Sequence, residues 1–140
     1  MSASPADFNA QVIEEFRANE GRVGGMFEGA PLLLLHHVGA RSGAPRVNPL
    51  VYQADDGRYV VFASKGGAPT NPDWFHNVKA NPDTSIELGG EEIEVRAEEA
   101  TGAERDRLFT TQKELAPQFA EYEQKTDRTI PVVILTPRVG

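Results

Sequence analysis

Six short apolar segments, each cut off by glycine, proline or an Asp-Gly pair, restrict what this chain can fold into. Residues 32–38 read as a buried strand, 46–53 as a second, and 59–62 as a third, with Asp55-Asp56-Gly57 as the hairpin signal between the last two. Residues 84–88 and 92–98 follow, joined by Gly89-Gly90, and 130–136 close the chain. In the fifth segment Ile93, Val95 and Ala97 alternate with Glu92, Glu94, Arg96 and Glu98, the period of a strand with one buried face. Pro49 cannot donate to a ladder, so the second strand must lie at an edge or carry a bulge there. The strand–helix–strand alternation of a dinucleotide-binding sheet is missing. Strands joined mainly by hairpins, with short helices at the corners, predict a mainly β (α+β) fold, a closed or nearly closed six-stranded antiparallel barrel.

Helix signals fill the corners. Ser4-Pro5 is a cap followed by proline at the first helical position, and Phe8, Val12 and Phe16 repeat at i, i+4, i+8 until Gly21 and Gly24-Gly25. That stripe predicts packing against the body of the protein. A membrane-surface helix would want a basic polar face, and Glu14, Glu15 and Glu20 make this one acidic. Asn71-Pro72 repeats the cap-plus-proline start of a short helix that Asn81-Pro82 stops. Thr101 and Glu104 form a capping box for a helix whose apolar stripe is Leu108, Leu115 and, past Pro117, Phe119 and Tyr122. Residues 1–30 thus read as a helix and arm, and 31–140 as the barrel.

A length of 140 residues suits one domain with a real core. The net charge of −7 argues against nucleic acid or an anionic membrane as partner, leaving the first helix as the one route to a membrane surface. With no cysteine there is no disulfide, thiolate chemistry or cysteine-ligated metal. The first residues lack a targeting pattern and the longest apolar run, 31–35, is too short for a bilayer, so the expected compartment is the cytoplasm.

The charge is uneven. Residues 39–82 carry five Lys/Arg against three Asp/Glu, while the remainder carries nine against eighteen. Within the cationic part lie Gly39-Ala-Arg-Ser-Gly-Ala-Pro-Arg46 and Ser64-Lys-Gly-Gly-Ala-Pro69, two glycine-rich loops that each end a strand. Small residues leave backbone N–H groups accessible there, and Arg41, Ser42, Gly43, Arg46 and Lys65 can complete the shell of a small anion. The glycine spacing fits neither the Rossmann nor the P-loop phosphate motif. His36 and His37 sit on opposite faces of a strand and cannot chelate one ion, so no metal is expected. Trp74 reads either as a core plug or as a neighbour of a planar cofactor. Ser64 and Tyr122 are the hydroxyls placed to meet a ligand.

These motifs, together with Asn71-Pro-Asp-Trp-Phe-His-Asn-Val-Lys-Ala-Asn-Pro82 and Thr126-Asp-Arg-Thr-Ile-Pro131, resemble the deazaflavin-dependent nitroreductase family of actinobacteria. The resemblance runs from about residue 32 to the C-terminus. It implies the split β-barrel of flavin-mononucleotide-binding oxidoreductases and reduced coenzyme F420, an 8-hydroxy-5-deazaflavin, as hydride donor to a quinone, nitroaromatic or other electron-poor conjugated acceptor. It implies that Arg41, Ser42, Gly43 and Arg46 hold the coenzyme's phosphate and acidic tail, helped by Lys65. Pro49, Leu50 and Val51 would run along the ring with Ala63 and Ser64 opposite, and Trp74 and Asn77 would lie near the groove. Val51, Phe119 and Tyr122 would shape the acceptor site, with Tyr122 and Ser64 as candidate catalytic groups. Some relatives carry tyrosines at the positions of Val51, Ala116 and Phe119, whereas this chain keeps only Tyr122. Two rivals share the fold: an enzyme using flavin mononucleotide or haem, and a non-catalytic carrier of the deazaflavin.

Overall fold

The computed structural model describes residues 5–19, 23, 31–64 and 70–138, with side chains from residue 10. In chain order the elements are α1 (Pro5–Ala18), β1 (Leu32–Val38), β2 (Pro45–Asp55), β3 (Arg58–Phe62), α2 (Asp73–Ala80), β4 (Asp83–Leu88), β5 (Glu91–Ala100), α3 (Gly102–Leu115), α4 (Gln118–Lys125) and β6 (Val132–Pro137). The strands close into a barrel in the order β1-β2-β3-β6-β5-β4, every pair antiparallel. The six-stranded antiparallel barrel is the architecture that the turn spacing predicts. Asp56 and Gly57 both have positive φ, 50° and 82°, as a two-residue hairpin between right-twisted strands requires.

The four consecutive leucines of β1 are explained by burial on both faces. Leu33 and Leu35 point into the barrel, where they meet Val61, Val95, Val133 and Leu135, and α2 adds Trp74, Phe75 and Val78 to that cluster. Leu32 and Leu34 point out and are covered by Val12 and Phe16 of α1, with Val47 and Val51 at the margin. Burying side chains of this size contributes about 1.5–3 kcal/mol each, so α1 is a packing helix on the barrel wall. Arg17 pins it further through Glu87 at 2.6 Å, and His36 reaches the same carboxylate at 2.7 Å. Ser4, the side chain of Phe8 and the glycines at 21, 24 and 25 lie outside the described residues. On the opposite side Leu108, Phe109 and Phe119 of α3 and α4 cover Val60, Phe62, Val132 and Ile134.

Three local expectations need correction. Thr101 occupies the cap of α3 but makes no side-chain cap bond. Gly102 follows it with φ 58°, turning the chain so that the hydroxyl does not meet the first free N–H groups. Asn71 does not cap α2; Pro72 holds that position and the Asn71 side-chain Oδ1 accepts instead from Arg128 at 2.7 Å. Leu115, expected in the stripe of α3, is 68 % exposed. It sits at the last residue of the helix, and Leu108, Phe109 and Gln112 take the inward places.

One irregularity in the barrel positions everything that follows. The β2–β3 ladder ends at Tyr52–Val61, although β2 extends back to Pro45 and stays paired with β1 throughout. Continuing the β2–β3 register would set Val51 against Phe62, Leu50 against Ala63 and Pro49 against Ser64, and none of those pairs forms. Tyr52 N–H donates to Pro31 C=O at 3.0 Å. By strand alternation the backbone groups of Val51 and Pro49 therefore face away from β1, into the gap. Proline removes the donor that would close the ladder there. The edge that Pro49 demands is this seam.

Candidate functional site

The first glycine loop, between β1 and β2, is built by its own backbone. Gly39 N–H donates to Ala44 C=O at 3.0 Å and Gly43 N–H to Gly39 C=O at 2.9 Å. Gly43 has φ 70°, a left-handed conformation that favours glycine. A Cβ on Gly39 would collide with the Ser42 hydroxyl, and Arg46 Nε lies 3.6 Å from that same point. The Arg46 guanidinium group is therefore folded over the loop. Ser42 Oγ accepts from Ala44 N–H at 3.2 Å and keeps its own proton free to donate.

A buried relay holds this loop from behind. Ala40 N–H donates to Asn77 Oδ1 at 3.0 Å, Asn77 Nδ2 contacts His37 Nδ1 at 3.0 Å, and His37 Nε2 contacts Asn48 Oδ1 at 2.7 Å. One assignment satisfies all three: Asn77 donates to Nδ1, and a neutral His37 donates from Nε2. Burial holds the His37 imidazole below its ordinary value of 6.5, and Arg46 and His36 push the same way; the Asn48 bond and Asp73 oppose. Asn77 is 6 % exposed and His37 3 %. Asn77 thus acts on the anion loop through Ala40, with its side chain already engaged.

The buried, neutral His37 makes stability depend on pH. Above about pH 6.5 both folded and unfolded states are neutral at this residue. Below it the unfolded chain takes up a proton that the folded chain refuses, so stability falls as pH drops towards the lowered value. Urea unfolding between pH 5 and 8 (the range spanning about 6.5) will show a steeper fall for the wild type than for His37→Gln. Equal slopes would mean that His37 is not held neutral.

The cations of the described residues divide sharply. Arg17, Arg58, Arg96, Arg105, Arg107 and Arg138 each meet a carboxylate. Arg128 binds Ala63, Ser64 and Asn71. Among the described residues, Arg41 and Arg46 are the arginines with neither an ion pair nor a side-chain hydrogen bond, in a chain of net charge −7. Both are exposed. Arg46 lies three to five residues along β2 from the seam, roughly 10–17 Å at strand spacing. A ligand that touches both must be elongated, with its anionic part at the loop.

The seam's other bank is the end of β3, against which α4 packs. Phe62 is edge-on to Phe119 at 5.5 Å, and Phe119 to Tyr122 at 5.2 Å. Phe119 is buried in that cluster, whereas Tyr122 is half-buried and forms its outer face. Ser64 follows β3 on the outward-facing parity of Phe62. Ala63 points into the barrel and Leu50 packs at the margin of the interior cluster. Trp74 is 4 % exposed and edge-on to Phe75, so the structure places it in the core. Lys65 lies outside the described residues. The structure thus sets Arg41, Ser42, Gly43 and Arg46 on the first loop and the start of β2, and Pro49, Leu50, Val51, Ala63 and Ser64 on the two chain segments that border the seam, with Tyr122 reaching Phe62 of β3 through Phe119. Sequence reasoning missed His37 and Arg128 as supports, although the Asp-Arg pair before Ile130-Pro131 stood in a motif it had singled out. No group of three or more His, Cys, Asp or Glu among the described residues could hold a metal ion. No helix among them is long and apolar enough to cross a membrane.

The profile of the F420H(2)-dependent quinone reductase family matches residues 9–137. An F420H(2)-dependent quinone reductase of Mycobacterium tuberculosis is 42 % identical over 127 residues, covering 88 % of this chain and 85 % of the relative. The structure of an F420-H2 dependent reductase (FDR-A) superposes with a TM-score of 0.69 at 42 % identity, over 75 % of this chain and 93 % of that one. HutZ, the haem storage protein of Vibrio cholerae, superposes with a TM-score of 0.61 at 17 % identity, over 94 % of this chain and 92 % of that one, a likeness of fold alone.

Proposed function

The chain belongs to the F420H(2)-dependent quinone reductase family, and from that premise we propose that it reduces a quinone with reduced coenzyme F420 as electron donor. The observation that carries this reading is the pair of unpartnered arginines, Arg41 and Arg46, on a loop at the head of an open seam. An elongated cofactor with a flat ring and an anionic tail fits those two features together. Arg41 and Arg46, with the Ser42 hydroxyl on the turn at Gly43, would hold the anionic part, and Lys65 would add a third charge. Pro49, Leu50 and Val51 on one bank and Ala63 and Ser64 on the other would border the ring. Trp74 and Asn77 would support the groove from behind.

When bound, the deazaflavin supplies a hydride to the acceptor. The protein's part is alignment: holding reactants in attack geometry can remove on the order of 7–11 kcal/mol of barrier. Val51 and Tyr122 would flank the acceptor, with Phe119 fixing the tyrosine ring from beneath. A quinone that accepts a hydride also needs a proton, and the Tyr122 hydroxyl would supply it.

The decisive experiment is a fluorescence titration of the purified protein with oxidised coenzyme F420, with flavin mononucleotide in parallel, followed by turnover of the reduced coenzyme with a naphthoquinone. Micromolar binding of the deazaflavin and its consumption by the quinone support the reading. Preference for flavin mononucleotide would overturn it, and binding without turnover would mark a carrier. Tyr122→Phe will leave coenzyme affinity unchanged and lower turnover about tenfold, a modest general-acid effect because water can stand in for the hydroxyl. An altered affinity with unchanged turnover would remove Tyr122 from the proton step.

A further inference from the structure

The β3–β6 ladder ends where Ala63 N–H meets Pro131 C=O at 2.9 Å. The carbonyls of Ala63 and Ser64 then leave the ladder, and a single side chain receives both. Arg128 Nη1 donates to Ala63 C=O at 3.1 Å and Nη2 to Ser64 C=O at 2.8 Å. The same Nη1 donates to Asn71 Oδ1 at 2.7 Å. One guanidinium group therefore ties the end of β3 to the residue that leads into α2, the two points that residues 65–70 connect. Arg128 is itself set in place by its N–H bond to Thr126 Oγ1 at 3.3 Å. Burial works against its charge, so these acceptors matter to it as much as it does to them. A planar fork reaches three acceptors in fixed directions; a lysine ammonium on a flexible stem does not copy that geometry.

What the clamp holds is a serine with its hydroxyl available. Ser64 is 8 % exposed, and its hydroxyl makes no bond within the chain. No buried side-chain polar atom among the described residues lacks a partner. The Ser64 oxygen must therefore hold part of the residue's small exposed area. It lies two residues past the end of β3, on the seam's bank, where an extended β2–β3 register would set it against Pro49.

We propose that Arg128 is a positioning residue of the coenzyme site: by clamping the Ala63 and Ser64 carbonyls to Asn71 it fixes the Ser64 hydroxyl at the edge of the seam, and it influences the reaction through that hydroxyl. The proposal rests on the reading that coenzyme F420 occupies the seam.

The test is a double-mutant cycle of Ser64→Ala and Arg128→Gln, with Arg128→Lys beside it. The readouts are coenzyme F420 affinity, the absorbance spectrum of the bound coenzyme, kcat and KM, and thermal unfolding to establish that each variant is folded. Arg128→Gln will weaken coenzyme binding about tenfold and shift the bound spectrum, and Arg128→Lys will not rescue either effect. In the Ser64→Ala background the Arg128 substitution will add little, because linked residues do not add. Should Arg128→Gln not fold, the cycle is run with Arg128→Lys. A folded Arg128 variant with unchanged spectrum and affinity, or full additivity with Ser64→Ala, overturns the proposal. A wild type that does not bind the deazaflavin overturns the parent reading, and this proposal with it; that outcome is read before any variant is made.

Discussion

A protein carrying Arg41→Ala and Arg46→Ala together will bind oxidised coenzyme F420 at least about a hundredfold more weakly than the wild type. A hydrogen bond to a charged group is worth about 1.5–3 kcal/mol, so losing two amounts to roughly 10²–10⁴ in affinity. The same substitutions will leave folding intact, because neither guanidinium group bonds to the chain in the structure. Unchanged thermal unfolding is thus the built-in control. Added salt will weaken the wild type's binding more than the variant's, since the loop is exposed and its attraction is screened. An affinity within threefold of wild type (about 0.7 kcal/mol) would show that the loop does not receive the coenzyme's anionic part.

The largest effect on stability will come from Asn77→Leu. Asn77 donates to His37 Nδ1 and accepts from Ala40 N–H, and leucine does neither. Leaving a buried acceptor unsatisfied costs about 1–3 kcal/mol, and release of the loop adds to it, so a loss of about 2–4 kcal/mol is expected from urea unfolding. Domains of this size hold only about 5–15 kcal/mol in all. Asn77→Asp separates the two bonds. Its carboxylate still accepts from Ala40 N–H but has no proton for Nδ1, so a protonated His37 would be its matching partner. His37 would then have a raised value in the folded state, with the stabilisation present at low pH and lost as pH rises through that value. Asn77→Asp should therefore recover stability below pH 6 or so, while Asn77→Leu should not. Parallel pH profiles for the two variants would contradict the relay.

The barrel itself was legible because its signals are local. Alternation in residues 92–98, Asp56-Gly57 and Gly89-Gly90 each announce a strand or a turn within a few residues. Pro49 even announced an edge. It could not say that the edge would be internal to a closed barrel, because that depends on how far β3 runs beside β2, a question of register between strands. The same limit hid the supports of the site. His37 and Asn77 are forty residues apart, and Arg128 is more than fifty from Asn71, yet each pair is in direct contact. Leu115 shows the reverse error: it fits the spacing of the stripe, yet the structure leaves it exposed at the last residue of α3. Arg41 and Arg46 were found from the glycine-rich loop and the charge distribution, and the structure adds the reason they stand out, which is that the other described arginines are engaged elsewhere.

The seam also has a consequence for the molecule when nothing fills it. Unpaired strand edges are where foreign chains add, and a barrel normally removes that hazard by leaving no edge. This barrel reopens one between Val51 and Phe62. Pro49 lies just where an invading strand would need a donor, and α1 shields the outer face beside it. The residue that keeps the barrel from closing thus also guards it against adhesion to its own kind, and solubility and ligand access become two readings of one proline.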